Sequence, residues 1–148
     1  MPEKETKRRA ARDKRQGKAP STQAGEFVRE EIHHVREGKH GARSTKQAIA
    51  IGLSKARRAG VKLGPPKRAT RATKRSAKYA SRAANHRSRP SPRRSRAVSR
   101  ALRREGHRAA SRKSLARQAR GAARRRSASS RSAAARRGAR TRQRRASA

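Results

Sequence analysis

The sequence contains no cysteine and no tryptophan, and it has one phenylalanine, Phe27, and one tyrosine, Tyr79. The lack of cysteine excludes a disulfide framework and a thiolate zinc site. The longest apolar run, residues 48–51, is far shorter than the roughly 20 residues that a membrane span needs. Residues 1–15 lack the apolar core of a signal peptide. We therefore expect no membrane span and a soluble, cytoplasmic protein.

Large apolar residues are scarce, and most of the 30% hydrophobic content is alanine. A chain with so few large apolar side chains cannot bury enough surface to offset the entropy of ordering all its residues. The composition therefore predicts a mostly disordered chain with a small all-α element. Catalysis needs a water-excluding pocket that holds groups with shifted pKa values. We expect the protein not to be an enzyme, and to have neither a cofactor nor a small-molecule substrate.

Acidic residues are also scarce, with 8 Asp or Glu against 47 Lys or Arg and a net charge of +39. This charge divides the chain into three predicted parts. Residues 1–21 form a mixed-charge arm, residues 22–66 form a helical hairpin domain, and residues 67–148 form a disordered Arg/Ala/Ser tail. The tail holds 30 basic residues against one acid, Glu105, so its net charge is +29. Such a tail attracts polyanions.

Apolar residues at intervals of four and three predict a first helix over about 22–37. These residues are Val28, Ile32 and Val35. The opposite face is expected to carry the acidic residues Glu26, Glu30 and Glu37. Ser21 or Thr22 can cap the start of this helix, and Gly38 is suited to end it.

A second helix is predicted over about 45–59. Residues 44–47, Ser-Thr-Lys-Gln, fit a capping box, and Gly60 is suited to end the helix. The predicted apolar stripe consists of Ile49, Leu53 and Ala56. Ile51 lies roughly 200° around the helix from Ile49. It is either a single exposed side chain or a contact with a second copy, so a homodimer through the hairpin is left open.

Three histidines, His33, His34 and His40, lie in or just after the first predicted helix, with Glu30 and Glu37 nearby. His33 and Glu37 are four residues apart and could face one ion. The spacing fits no closed set of metal ligands. We therefore expect solvated polar side chains and no metal site.

The tail has no apolar periodicity. Alanine and arginine favour helix, but dense like charge opposes it until phosphates neutralise the charge. Transient helices are therefore expected at 96–105 and 111–126 on binding. We expect paired and clustered cations of the tail to contact nucleic acid. They are Arg68, Arg71, Lys74, Arg75, Lys78, Arg93, Arg94, Arg103, Arg104, Arg124, Arg125, Arg126, Arg136, Arg137, Arg144 and Arg145.

Residues 91–94, Ser-Pro-Arg-Arg, fit the S-P-basic-basic pattern of histone tails. A turn of this kind can place two cations in a narrow A·T-rich minor groove. The same residues can equally serve general phosphate binding, and the sequence leaves both interpretations open.

Residues 25–41, GEFVREEIHHVREGKHG, and residues 43–60, RSTKQAIAIGLSKARRAG, carry a specific resemblance. This segment resembles a small bacterial domain family of unknown function whose members are often labelled plasmid stabilization or DNA-binding proteins. The tail is similar in composition to linker histones and bacterial histone-like proteins. The resemblance implies a bacterial nucleoid or plasmid context.

The sequence thus predicts histone-like DNA binding without sequence specificity, through phosphate neutralisation by the tail. Compaction of DNA and nucleoid or plasmid maintenance would follow from it. The alternative is a basic protein that binds structured RNA or the ribosome, because RNA offers the same phosphates. The near absence of aromatic residues argues against stacking on single strands.

Overall fold

The computed structural model describes residues 2–66, 69–84 and 91–147. Within these residues there are seven α-helices, one short 3-10 helix and no strand. The α-helices are α1 (Lys4–Arg15), α2 (Pro20–Arg36), α3 (Thr45–Arg58), α4 (Arg71–Arg82), α5 (Pro92–Arg103), α6 (Arg112–Arg124) and α7 (Ala128–Ala146). The 3-10 helix is Arg108–Ala110. The chain divides into two compact units, residues 1–111 and 112–148. Among the described helices, none combines the length and apolar character that crossing a bilayer requires.

The prediction of a mostly disordered chain is wrong, because the fold is all-α. The predicted arm contains α1, and the predicted tail contains α4 to α7. The segments expected to become helical only on binding, 96–105 and 111–126, largely coincide with α5 and α6. The small number of large apolar side chains had indicated disorder, but alanine and arginine are strong helix formers and both are abundant in this chain. Alanine also packs where helices approach closely. The buried alanines are Ala10, Ala24, Ala42, Ala48, Ala56, Ala77, Ala80, Ala109 and Ala110.

The two helices predicted at about 22–37 and 45–59 are present as α2 and α3. Gly38 and Gly60 follow them with φ of +74° and +88°, which is the left-handed backbone expected after a helix. The start of α2 differs from the prediction, because Ala19 is the N-cap and Pro20 is the first helical residue. Proline suits this position since its missing N–H would have no helical partner.

The capping box at the start of α3 is present in an altered form. The Ser44 hydroxyl accepts a hydrogen bond from the Gln47 backbone N–H at 3.2 Å, as predicted. The Gln47 Oε1 accepts from the Arg43 N–H at 2.8 Å, one residue before the N-cap. Both ends of the box therefore satisfy backbone donors that the helix itself leaves free.

In the first unit α2 packs against both α1 and α3, and α3 also packs against α4. A core cluster joins three of these helices: Ala10, Ala24, Phe27 and Ala56, with Leu53, Val61 and Leu63 packed on it. Glu30, which was expected on the face of α2 opposite the apolar residues, is buried with 4% of its surface exposed. Its Oε1 lies 3.6 Å from Lys55 Nζ of α3, and its Oε2 accepts a hydrogen bond from the Glu3 N–H at the start of α1. Glu26 is partly buried, Glu37 is exposed and Ile51 is partly buried.

Gly52 of α3 lies close against the backbone of α2. A Cβ added there would lie 2.7 Å from Val28 Cα and 3.0 Å from Phe27 O, both backbone atoms. We expect Gly52→Ala to destabilise the protein by about 1–3 kcal/mol, because two helices must move apart. The measurement is urea denaturation followed by circular dichroism.

Gly25→Ala is the matched control for Gly52→Ala. Gly25 is exposed within α2, and in the described part of the chain nothing lies within 4 Å of an added Cβ. This variant should gain about 0.5–1 kcal/mol from helix propensity alone. Equal changes in the two variants would contradict the close approach at Gly52.

A later segment, residues 102–110, closes over the connection between α2 and α3. The Gly41 N–H donates to the Leu102 carbonyl at 2.9 Å, and the Ala42 N–H donates to the Gly106 carbonyl at 3.1 Å. The Thr45 hydroxyl donates to the Ala109 carbonyl at 2.6 Å. A Cβ at Gly41 would collide with the backbone carbonyl of residue 105, so glycine is required there.

Candidate functional sites

Helix α4 presents one continuous basic face. Its cations Arg71, Lys74, Arg75, Lys78 and Arg82 are all exposed. Their spacing of i, i+3, i+4, i+7 and i+11 places them on one side of the helix. The opposite side is buried at Ala77 and Ala80, where α4 packs against α3. At 1.5 Å per residue the basic face is about 16 Å long.

Helix α5 carries a similar face, formed by Arg93, Arg96, Arg100 and Arg103 at i, i+3, i+7 and i+10. All four side chains are exposed. The Ser-Pro-Arg-Arg segment is the start of this helix, with Ser91 as N-cap and Pro92 in the first turn. Its two arginines therefore belong to a helical first turn.

In the second unit, α6 carries a face of four exposed cations: Lys113, Arg117, Arg120 and Arg124. Their spacing of i, i+4, i+7 and i+11 again selects one side of the helix. Leu115, on the other side, is partly buried. Each of α4, α5 and α6 thus has one side that carries a row of exposed lysines and arginines.

The structure places the predicted contact residues along these helices. Arg71, Lys74, Arg75 and Lys78 lie on α4; Arg93, Arg94 and Arg103 lie on α5, with Arg104 as its C-cap; Arg124 ends α6; Arg125 and Arg126 precede α7; and Arg136, Arg137, Arg144 and Arg145 lie on α7. Arg68 lies outside the described residues. Every predicted contact residue whose side chain is described is exposed, and none of these is ion-paired to an acid.

Sequence reasoning missed the residues that complete the three faces. They are Arg82, Arg96, Arg100, Lys113, Arg117 and Arg120. The signal that could have identified them is the spacing of three and four residues between cations. That spacing places side chains on one side only if the chain is helical, and this part of the chain was expected to be disordered. Once α4, α5 and α6 are helical, the period is decisive because it determines which cations share a side.

The acidic residues are grouped elsewhere, mostly within α1 and α2. Arg9 Nε lies 2.8 Å from Glu26 Oε2, and Lys18 Nζ lies 2.6 Å from Asp13 Oδ1. In the described chain, the first turns of α4, α5, α6 and α7 contain no acid. The positive ends of these helix dipoles therefore add to the charge of the arginines, and both favour anions.

A second cluster is polar and partly buried, at the C-terminal part of α2 and the connection that follows it. Glu31, His34 and His40 offer ligand atoms that all lie within 4.8 Å of one another. The sequence instead paired His33, which is exposed, with Glu37, which is also exposed. Glu31 was missed because its burial depends on packing between helices. The hydrogen bond from His34 is the main cause that lowers the pKa of Glu3 beside this cluster, and Lys39 acts in the same direction.

No curated protein and no solved structure shows significant similarity to the chain. A family model does match residues 13–68, from the end of α1 to just beyond the α3 segment. Its description states no function, so plasmid stabilization and DNA binding are not part of what this match shows. Residues 13–68 match the model of DUF6496, a family of unknown function.

Proposed function

We propose that the protein is a non-catalytic, histone-like DNA-binding protein that contacts duplex phosphates without sequence specificity. The observation that carries this proposal is the set of exposed cationic faces on α4, α5 and α6. Each face aligns four or five lysines or arginines that have no acidic partner among the described residues. Fixed, unpaired cations in a row are suited to a polyanion with regularly spaced charges.

Duplex DNA carries one negative charge per roughly 1.7 Å of axis, so a face about 16 Å long meets several phosphates at once. Binding releases condensed counterions, which supplies the free energy without any contact to bases. Phosphate contacts position a protein on the duplex but carry no sequence information. The faces consist of lysine and arginine, which bind phosphates in any sequence. This composition supports binding along many sequences and compaction of DNA, and it gives less support to recognition of one specific site.

The α6 face provides a direct test. We expect the variant Lys113→Gln, Arg117→Gln, Arg120→Gln, Arg124→Gln to reduce the magnitude of the log–log salt slope by about 3.6, or 0.9 per lost phosphate contact. Glutamine keeps the helix propensity of the replaced residues. The measurement is fluorescence anisotropy with a labelled duplex of random sequence.

A control variant removes the same charge from α1: Lys7→Gln, Arg12→Gln, Lys14→Gln, Arg15→Gln. These four side chains are exposed, but α1 packs on α2 and its neighbours include the acids Glu5 and Glu26. The control should change the slope much less than the α6 variant. Equal slopes for the two variants would mean that net charge alone determines binding, and the proposed interface would be withdrawn.

The second candidate is binding to structured RNA or to the ribosome, since the phosphate chemistry is the same. Tyr79 is 65% exposed beside the α4 face, and a single tyrosine gives little support to stacking on unpaired bases. Crosslinking in cells, followed by sequencing of the bound nucleic acid, distinguishes the two candidates. A majority of ribosomal RNA would favour the second candidate, whereas genomic or plasmid DNA would favour the first.

The proposed biological context is the bacterial nucleoid or plasmid maintenance, and it rests on the resemblance of residues 25–60. A homodimer through α2 and α3 is part of the same proposal. It would double the number of basic faces per particle and help one particle bridge two duplex segments. Ile51 is already partly covered within one chain. Sedimentation of the full-length chain tests the dimer directly.

A further inference from the structure

The fold brings together one carboxylate and two imidazoles that are arranged as metal ligands. Glu31 and His34 are three residues apart on α2, so they share a side of the helix. His40 comes from the connection after Gly38. The connection is held in place because Gly41 and Ala42 donate backbone hydrogen bonds to the 102–106 segment. The three potential ligand atoms all lie within 4.8 Å of one another.

Glu31 is a buried carboxylate whose oxygen Oε1 lies beside His40. The residue has 0% of its surface exposed, and within the described chain Oε1 accepts no hydrogen bond. Oε1 lies 3.3 Å from His40 Nε2, and Oε2 lies 2.6 Å from Lys55 Nζ. A buried acceptor without a donor is costly. A cation bound beside His40 would therefore stabilise the negative charge at Oε1.

Both histidines already have the outer partners that metal-bound histidines use. His40 Nδ1 lies 3.0 Å from the Gly41 carbonyl, which leaves Nε2 free to face Glu31. His34 Nε2 lies 2.9 Å from Glu3 Oε1. A histidine ligand commonly donates its second ring N–H to a carbonyl or a carboxylate, which orients the ring. The side chains of His34 and His40 are 13% and 17% exposed, so both rings are in contact with solvent.

The local charge tolerates a cation despite Lys55. Its ammonium lies between two buried carboxylates, 2.6 Å from Glu31 Oε2 and 3.6 Å from Glu30 Oε1. Two carboxylates around one ammonium leave a net negative charge. The ammonium contacts Oε2 of Glu31, whereas Oε1 is the oxygen beside His40 and stays available for a second positive charge.

We propose that Glu31, His34 and His40 bind one Zn²⁺ ion, with a water molecule in the fourth position. Two imidazoles and one carboxylate form a common three-residue zinc ligand set with one open position. Small side-chain rotations would bring the three atoms to ligand distances of about 2.0–2.2 Å. The ion would tie the end of α2 to the connection that precedes α3, and this role is independent of the proposed nucleic-acid binding.

The test is calorimetric titration of ZnCl₂ into the full-length protein, freed of nucleic acid and pretreated with chelator. We expect one equivalent of Zn²⁺ to bind. His40→Gln should weaken binding at least about tenfold, since losing even an outer partner of a metal ligand has that effect. The matched control is His33→Gln, which removes an exposed histidine next to His34 on the same helix. Its affinity should equal that of the unmodified protein.

Two further readouts keep the test decisive. Circular dichroism in chelator establishes that each variant is folded, and His34→Gln replaces His40→Gln if the latter is not. Substitution with Co²⁺ should give the visible absorption of a four-coordinate site, which scattered surface histidines do not give. Absence of saturable binding would overturn the proposal. Equal affinities for His33→Gln and His40→Gln, or no Co²⁺ absorption from a folded protein, would overturn it as well.

Discussion

Raising the salt concentration from 50 to 200 mM should weaken binding of the full-length chain to a DNA duplex by about 10⁵-fold. The cationic faces of α4, α5 and α6 together hold 13 exposed lysines and arginines. If about ten of them occupy phosphates at once, the log–log slope of affinity against salt is about −9. The measurement is anisotropy at a series of KCl concentrations with a duplex of random sequence.

The control for this salt effect is an uncharged solute. Sucrose at matched osmolality should leave the affinity unchanged, because it releases no counterions. A duplex of unrelated sequence should give the same slope, since phosphates are common to all sequences. A slope close to −1 or −2 would mean that the cationic faces do not engage the duplex together, and the proposed interface would not hold.

Replacing Lys55 by methionine should lower the free energy of unfolding by about 3–5 kcal/mol, the usual effect of removing one partner from a buried ion pair. The side chains of Glu30 and Glu31 are 2% and 1% exposed, and the Lys55 ammonium lies near both. Methionine retains the aliphatic stem but leaves two buried carboxylates without a positive charge. This effect should exceed that of Gly52→Ala.

Urea denaturation in chelator measures the Lys55 effect without any contribution from bound metal. Lys46→Met on the same helix is the matched control, because Lys46 is exposed and the change should stay within about 0.5 kcal/mol. Adding Glu30→Gln and Glu31→Gln to Lys55→Met should recover most of the loss, since these two carboxylates then no longer carry a charge. A Lys55→Met protein as stable as the parent would show that the ion pairs contribute nothing.

The sequence predicted the parts of the fold whose causes are local. The apolar intervals of α2, the capping residues of α3 and the glycines at 38 and 60 each act within a few residues. They located both helices of the hairpin to within about two residues. Helices α1, α4 and α7 were missed, and α5 and α6 were expected only on binding, because alanine gives no apolar contrast from which a period can be recognised.

The two candidate sites show the same limit. The charge of residues 67–148 predicted that their cations contact nucleic acid. The alignment of these cations into faces requires stable helices, which were either not predicted or expected only on binding. Glu31 and His34 share a side of α2 by local geometry. The addition of His40 required the turn at Gly38 and the hydrogen bonds of Gly41 to a segment some 60 residues further along the chain. Spacing in the sequence cannot supply that proximity.

The hydrogen bonds from the α2–α3 region to the 102–110 segment also determine when the first unit can finish folding during synthesis. The Thr45–Ala109 and Arg36–Ala110 bonds join residues 64 and 74 positions apart. A ribosome adds about 5–20 residues per second, so roughly 2–8 s separate the synthesis of residue 68 from that of residue 110. During that interval the donors of Gly41, Thr45 and Arg36 lack their carbonyl acceptors at residues 102, 109 and 110, and the α2–α3 connection is not yet covered by that segment. Nascent chains stalled before residue 110 should therefore be more sensitive to protease at the α2–α3 connection than chains stalled well beyond it.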